Sequence, residues 1–157
     1  MIPSLSQGSR FRRRLQMAHD ALPENAGARG ETSCCRSGRC CWSGSCELSP
    51  TDPPKIAAHL GITEAELFAQ YLVVDESRFT DALRVVPRRK QQTGGRYLTN
   101  AETYDADTPC VFLGDDNGCE IHEAKPAGGV FYKCWDPGTH GAPPDVEWTE
   151  EQARAIG

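Results

Sequence analysis

Apolar positions in the middle of the chain recur at helical spacing and predict a pair of short helices. In TEAELFAQYL, Thr63 and Glu66 have the spacing of a capping box, in which each side chain bonds to the backbone N–H of the other residue. The apolar stripe of this segment comprises Leu67, Phe68, Tyr71 and Leu72. The preceding segment, SPTDPPKIAAHLG, offers Thr51 or Asp52 as a cap and Gly61 as a stop. We therefore expect a helical hairpin packed through its apolar faces.

Short apolar segments on either side of turn residues predict strands. ALRVVP and RYLTN flank RRKQQTGG, and this order indicates a β-hairpin that turns at Gly94 and Gly95. CVFL and CEIH bracket GDDNG, in which Asn117 followed by Gly118 is a strong tight-turn signal. A last helix is expected in WTEEQARAI, where Thr149 can cap the first turn. These short elements of both kinds predict a small, irregular α+β domain.

Length and composition agree with one loop-rich domain. The chain has 157 residues with 15 Gly and 11 Pro, which is enough for a modest core connected by many turns. Residues 1–32 are expected to form a basic tail or short helix, with the helical signal over Phe11–Leu22. Residues 33–157 are expected to form a single cysteine-cluster domain.

Eight cysteines are the most concentrated chemistry in the chain. One group falls within thirteen residues and a second group lies far along the chain: Cys34, Cys35, Cys40, Cys41 and Cys46, then Cys110, Cys119 and Cys134. Thiolates are soft ligands that suit zinc, copper(I) and iron–sulfur clusters. The distribution predicts one metal centre assembled from two separated segments, the first of them in irregular backbone.

The spacing of these cysteines matches no standard zinc finger or ferredoxin. The chain has no CxxC knuckle, and the neighbours Cys40 and Cys41 diverge in both extended and helical backbone. Such a pair fits several ions with bridging thiolates, or one ligand beside one reactive or structural thiol, better than a lone zinc ribbon. Cys34 and Cys46 are not needed for the CxxxxCC core, so we expect their removal to matter least.

Charge and N-terminal composition limit the classes of partner. The net charge is −5, and the first 36 residues carry six Arg against three carboxylates, so the remainder is more acidic than the total indicates. An acidic folded region disfavours nucleic acid as a partner. The first thirty residues lack an apolar run of the length of a signal peptide or a membrane span. We therefore expect no membrane segment and a cytoplasmic protein with reduced thiols.

The combination of motifs resembles a known family. The CxxxxCC run from Cys35 to Cys41, the later PCVFL and GCEIHEAKP segments and a final cysteine are similar to the bacterial YkgJ-type cysteine-cluster family of zinc- or iron-chelating domains. The resemblance covers roughly Ser33 to Asp136. It implies that the clustered cysteines chelate zinc or iron, with ligands at Cys35, Cys40, Cys41, Cys110 and Cys119.

The sequence departs from the family pattern after Cys119. The family's Ile-Tyr pair is Ile-His at 121–122, its Arg-Pro pair is Lys-Pro at 125–126, and the next cysteine comes only at Cys134. His122 is therefore a further ligand candidate, in a Cys-x-x-His spacing. Residues three apart on a regular strand face opposite sides, so this role requires the strand to break, and a surface histidine is the alternative.

Two classes of function remain open from the sequence. The first is a metal-binding protein for storage, delivery or sensing, because no nucleophile–base pair and no phosphate-binding loop accompanies the cysteines. The second is an iron–sulfur or metal-dependent enzyme, or a redox subunit, that acts on a protein or peptide partner. Relatives that form part of larger iron–sulfur proteins keep this second class open. A disulfide-bonded structural protein would require export.

Overall fold

The computed structural model describes residues 36, 38–43, 46–76, 82–99, 102, 108–126 and 148–156. The tail at 1–32 and the ligand candidates Cys34, Cys35 and Cys134 lie outside these residues. The elements within them are helices α1 (Arg39–Ser43), α2 (Asp52–Leu60), α3 (Glu64–Tyr71) and α4 (Glu150–Ala155), strands β1 (Leu72–Glu76), β2 (Leu83–Pro87) and β3 (Arg96–Tyr97), and a 3₁₀ helix at His122–Ala124. Short helices beside a small sheet confirm the expected α+β class.

The predicted pair of helices is confirmed as α2 and α3. Gly61 ends α2 in the left-handed conformation, with φ of 69°. The Thr63 hydroxyl accepts the Glu66 N–H at 3.2 Å, and the Glu66 carboxylate accepts the Thr63 N–H at 2.8 Å, which completes the capping box of α3. Ile56 of α2 and Leu67 of α3 are fully buried in one apolar cluster. The two helices are thus fixed by local signals and joined by their apolar faces.

The sheet is three-stranded, with β1 in the centre of the order β2-β1-β3. β2 pairs antiparallel to β1, with Leu72 opposite Pro87, and β3 pairs parallel to β1, with Val73 opposite Arg96. Alternate residues of β1 enter different clusters: Val74 joins the main core, whereas Val73 packs with Val86 in a second cluster. Burial on both faces is what a central strand requires.

The hairpin predicted between ALRVVP and RYLTN is wrong, because β1 lies between β2 and β3. The pattern missed β1 because LVVDE follows α3 directly and carries no turn residue that would separate helix from strand. Gly94 and Gly95 serve close packing against α3. A Cβ on Gly94 would lie 2.6 Å from the Ala69 carbonyl oxygen, a distance that side chains do not tolerate.

The C-terminal helix closes the main core. Thr149 and Gln152 form the capping box at the start of α4, which confirms the predicted last helix. Trp148, the residue before this cap, is buried and donates its indole N–H to the Leu48 carbonyl at 2.7 Å. Ala153 of α4 is fully buried in the same cluster as Leu48. The end of the described chain is therefore tied to the segment that follows the first cysteines.

A buried ion network crosses the outer end of the β1–β2 pair. The Asp75 carboxylate is 1% exposed as a residue and accepts two hydrogen bonds of 2.9 Å from the Arg84 guanidinium. Arg84 also donates to Glu47 at 2.7 Å. Paired charges with satisfied hydrogen bonds can be buried where a lone charge cannot. Each helix in the described ranges is too short or too polar to cross a membrane.

Candidate metal centre

The first cysteine pair lies on a single helical turn. Gly38 adopts φ of 65°, in the left-handed region that favours glycine, and its carbonyl accepts the N–H groups of Cys41 at 2.9 Å and Trp42 at 3.1 Å. This turn starts α1 and orients Cys40 and Cys41. The expectation of irregular backbone throughout the first cysteine segment is therefore wrong at α1.

The second pair of cysteines flanks the predicted tight turn. The Gly114 N–H donates to the Gly118 carbonyl at 2.9 Å, and Asn117 adopts φ of 59° within that turn. A single bridge pairs Leu113 with Cys119. The turn is confirmed, but the regular strands predicted for CVFL and CEIH are wrong. Left-handed Asn117 accounts for the turn, and the chain curls into turns on both sides of the bridge, so longer strand pairing does not develop.

Backbone hydrogen bonds join the two cysteine segments directly. The Cys110 N–H donates to the Cys41 carbonyl at 2.8 Å, and the Arg89 guanidinium donates to the same oxygen at 2.6 Å. Arg89 and Cys110 also form an isolated antiparallel β-bridge, and the Val111 N–H donates to the Arg88 carbonyl at 2.9 Å. Because Arg88 and Arg89 follow β2, the sheet holds the second cysteine segment against the first.

One cavity of about 20 Å³ collects the cysteine side chains. Its wall contains five cysteines and five other residues: Cys40, Cys41, Cys46, Cys110 and Cys119, with Pro87, Phe112, Ile121, Lys125 and Pro126. A space of this volume accommodates about one water-sized body. The structure therefore brings together every candidate cysteine that lies within the described residues, from both parts of the chain.

The five cysteines are free thiols. Within the described ranges, no three Cys, His, Asp or Glu side chains already stand in an arrangement that would hold a metal ion. The cavity is thus a set of converging sulfur donors that is not closed around one point. Cys34, Cys35 and Cys134 lie outside the described residues, and their ligand roles stay predictions.

Three of the thiols share protons. The Cys41 thiol is hydrogen-bonded to both Cys110 and Cys40, and these bonds raise the pKa of Cys41. The hydrogen bond between Cys40 and Cys41 lowers the pKa of Cys40 to about 6, and the separate bond between Cys110 and Cys41 is the largest cause of the lowered pKa of Cys110. The hydrogen bonds therefore favour the neutral form of Cys41 and the thiolate forms of Cys40 and Cys110. A thiolate is the form of cysteine that binds metal.

The other two thiols are held in their neutral form by burial. Desolvation is the largest cause of the raised pKa of Cys46, and it also raises the pKa of Cys119 to about 11. The positive charge of Lys125 acts in the opposite direction on both thiols. Cys46 was expected to matter least, yet its side chain lies in the same cavity as the family-implied ligands. Its spacing from the CxxxxCC run carries no signal of this position.

His122 begins the 3₁₀ helix, so the strand does break after Cys119 as a ligand role would require. Its ring is half-buried, and the residue is not among those that line the cavity. The sequence pattern missed Lys125 as part of the cavity. Its only signal was the Lys-Pro pair at 125–126, which corresponds to the family's Arg-Pro pair.

Comparison with known proteins identifies the family. Residues 32–139 match the model of the CxxCxxCC family, described as "Putative zinc- or iron-chelating domain". No curated protein and no solved structure matches the chain. When the last two cysteines of the pattern CxxCxxCC are aligned with Cys40 and Cys41, its first cysteine falls on Cys34 and its second falls on Ser37. The chain therefore has a serine at one cysteine position of the pattern. Because the match covers more than half of the sequence, the chain belongs to the CxxCxxCC family of zinc- or iron-chelating domains.

Proposed function

We propose that the protein binds a single zinc or iron ion through cysteine thiolates that come from both segments of the chain. The observation that carries this proposal is the cavity itself, in which Cys40, Cys41 and Cys46 of the first segment face Cys110 and Cys119 of the second. Sulfur-only donor sets favour zinc and iron over the hard cations, which prefer oxygen. The family to which the chain belongs supports the same pair of metals.

The single cavity favours one metal centre over separate ions. All five described cysteines line the same space, which has room for about one water-sized body. The neighbours Cys40 and Cys41 both reach this one space, although their spacing favoured two different ions. We therefore place a mononuclear ion ahead of a multi-ion centre, and an iron–sulfur cluster is the alternative that acid-labile sulfide would reveal.

Three of the ligands follow from the shared protons. Cys40 and Cys110 each lie within hydrogen-bond reach of Cys41, and these bonds lower the pKa of both, so the three sulfurs are close enough to coordinate one soft cation. A tetrahedral site needs four ligands, which can be thiolates or a mixture of thiolates and imidazole. Cys46 and Cys119 are the candidates for the fourth position within the cavity, and Cys34, Cys35, Cys134 and His122 remain candidates outside it.

Such a centre fits a module for metal storage, delivery or sensing in a reducing compartment, and we propose the cytoplasm. Free vicinal thiols survive only where reductants keep them from pairing. The cavity wall offers no acid–base partner for the thiols among its described residues other than Lys125. A metal-binding role therefore has more support than the alternative of an enzyme acting on a protein or peptide.

Anaerobic reconstitution tests the proposed function. Wild type should bind one zinc or ferrous ion per chain, measured by elemental analysis after desalting, and should remain free of acid-labile sulfide. Cys40→Ser and Cys110→Ser should each weaken binding by at least ~10-fold, with far-UV circular dichroism as the control for folding. Full metal content in both variants would contradict the ligand assignment. Cys34→Ser and Cys35→Ser, compared in the same assay, show which of the two cysteines is a ligand. The family pattern CxxCxxCC starts at Cys34, whereas the CxxxxCC run starts at Cys35.

A further inference from the structure

Lys125 stands at the wall of a cavity filled with sulfur. It follows the 3₁₀ helix, and its backbone is fixed at φ −51° and ψ 130° by the buried Pro126 that comes next. Among the described residues that line the cavity, Lys125 is the only one besides the cysteines whose side chain can carry a charge. The residue as a whole is half-buried.

A thiolate-rich centre needs positive charge nearby. Four thiolates around a divalent ion leave a net charge of about −2, and three leave about −1. Burying such a charge is costly unless an opposite charge or hydrogen-bond donors compensate it. Arg89 supplies positive charge near Cys110, where its guanidinium donates to the Cys41 carbonyl at 2.6 Å, but it does not line the cavity. Lys125 is the cationic residue in the cavity wall itself.

The influence of Lys125 extends over several of the sulfurs. Its charge opposes the burial of Cys46 and Cys119, and it also lowers the pKa of Cys40. These three cysteines come from both segments of the chain. Lys125 also shares the cavity wall with all three of them, so its charge lies near sulfurs of both segments.

We propose that Lys125 is the counter-charge of the metal–thiolate centre and a determinant of its affinity for divalent ions. This inference rests on the proposed function. Lys125 is not a ligand in this account, because the ammonium form that compensates charge has no lone pair to donate. What matters is a positive charge at this position, so arginine should substitute for lysine and glutamine should not.

The test compares metal affinity in three variants with wild type. Lys125→Gln removes the charge, Lys125→Arg keeps it, and Lys55→Gln removes a charge from α2, where Lys55 is 65% exposed and 3.7 Å from Asp52. Anaerobic competition between the protein and a chromophoric chelator for Zn²⁺ gives the dissociation constants. Lys125→Gln should raise the constant by about 10- to 100-fold, the range typical of changes just outside the ligands. Lys125→Arg should stay within about threefold of wild type, and Lys55→Gln should be unchanged.

Cobalt spectra separate charge from folding. Co²⁺-loaded Lys125→Gln should keep the sulfur-to-cobalt absorption bands of wild type once saturated, because its ligands are intact. Equal zinc affinity in wild type and Lys125→Gln would overturn the role of Lys125, as would a loss in Lys125→Arg as large as that in Lys125→Gln. A wild-type chain with no zinc affinity would instead overturn the proposed function itself, so the two failures are distinguishable.

Discussion

The apolar core and the cysteine cavity share Phe112 and Ile121 as walls, but they are stabilised in different ways. In the core, residues such as Ile56 and Val85 are fully buried, and the removal of apolar surface from water drives their packing. In the cavity the buried groups are thiols that share protons and partial charge. The core is stabilised by the chain alone, whereas the cavity gathers the thiols that we propose to bind a cation.

Because the two regions are stabilised differently, substitutions can affect protein stability and metal affinity separately. Changes in the core should reduce the stability of the protein with or without metal. Changes in the cavity wall should reduce metal affinity and leave the metal-free protein nearly as stable as before. The shared wall is the place where both effects should appear together.

Phe112→Ala should have the largest effect, because it breaks both regions at once. Phe112 is 1% exposed, and its ring stacks on Tyr71 with centroids 5.3 Å apart. Truncation of a buried phenylalanine costs about 4 kcal/mol of unfolding free energy, through lost burial and a residual void. Chemical denaturation of the metal-free protein measures this loss, and zinc competition measures the accompanying drop in affinity.

The half-exposed Tyr97 provides the control for that substitution. Tyr97→Ala should change the unfolding free energy by less than about 1 kcal/mol and leave zinc affinity intact. If Phe112→Ala lost stability but bound zinc as tightly as wild type, the idea of a shared wall would be wrong.

Asp75→Asn should have the second largest effect, confined to the sheet. The change removes the charge that accepts two bonds of 2.9 Å from the Arg84 guanidinium, although Glu47 still pairs with Arg84 at 2.7 Å. We expect a loss of about 2 kcal/mol in unfolding free energy, the cost of weakened hydrogen bonds to a charged group. Glu76→Gln, a matched change at the exposed end of β1, should be nearly neutral.

Zinc affinity distinguishes the two regions in the same variant. Asp75→Asn should bind zinc as wild type does while it remains folded, because the ion network does not line the cavity. A drop in affinity comparable to that of Phe112→Ala would indicate that the sheet and the cavity are a single cooperative unit.

The smallest effect concerns the order in which thiols react. In the metal-free protein the pKa of Cys40 is lowered to about 6 by its hydrogen bond with Cys41, whereas burial raises the pKa of Cys119 to about 11. Cys40 is then a thiolate above about pH 6, and Cys119 remains a thiol at neutral pH. Iodoacetamide should modify Cys40 first at neutral pH, and lowering the pH below about 6 should suppress that reaction.

Mass spectrometry of the modified peptides gives this order directly. Protein unfolded in urea is the control, since both cysteines should then react with the same dependence on pH. Modification of Cys119 ahead of Cys40 in the folded protein would contradict the proton sharing. Metal binding should depend on pH in the same direction. Acidification through about pH 6 should favour metal release, because protons compete with the metal for the Cys40 thiolate.

The parts of the fold that the sequence predicted are those with local causes. The capping boxes at Thr63 and Thr149 and the stop at Gly61 each involve residues only a few positions apart. The strand β1 escaped prediction because its identity depends on two partners that are distant in the sequence. The pattern of apolar residues alone cannot distinguish such a buried strand from an extension of α3.

The same distinction between local and tertiary causes applies to the candidate site. Residue type predicted that Cys40, Cys41, Cys110 and Cys119 would converge, since thiols in motif-like groups rarely serve packing alone. Cys46 was a candidate whose removal was expected to matter least, because the CxxxxCC core does not need it, yet it lines the same cavity. The position of Lys125 could not be predicted, because it depends on tertiary packing.

X-ray absorption at the metal edge of the anaerobically loaded protein tests the central claim most directly. A single ion held by thiolates of both segments should give a shell of about four sulfur atoms near 2.3 Å and no neighbouring metal. The same spectrum of Cys110→Ser should lose sulfur from that shell if metal is retained at all. A shell dominated by nitrogen or oxygen, or a second metal at short distance, would contradict the account.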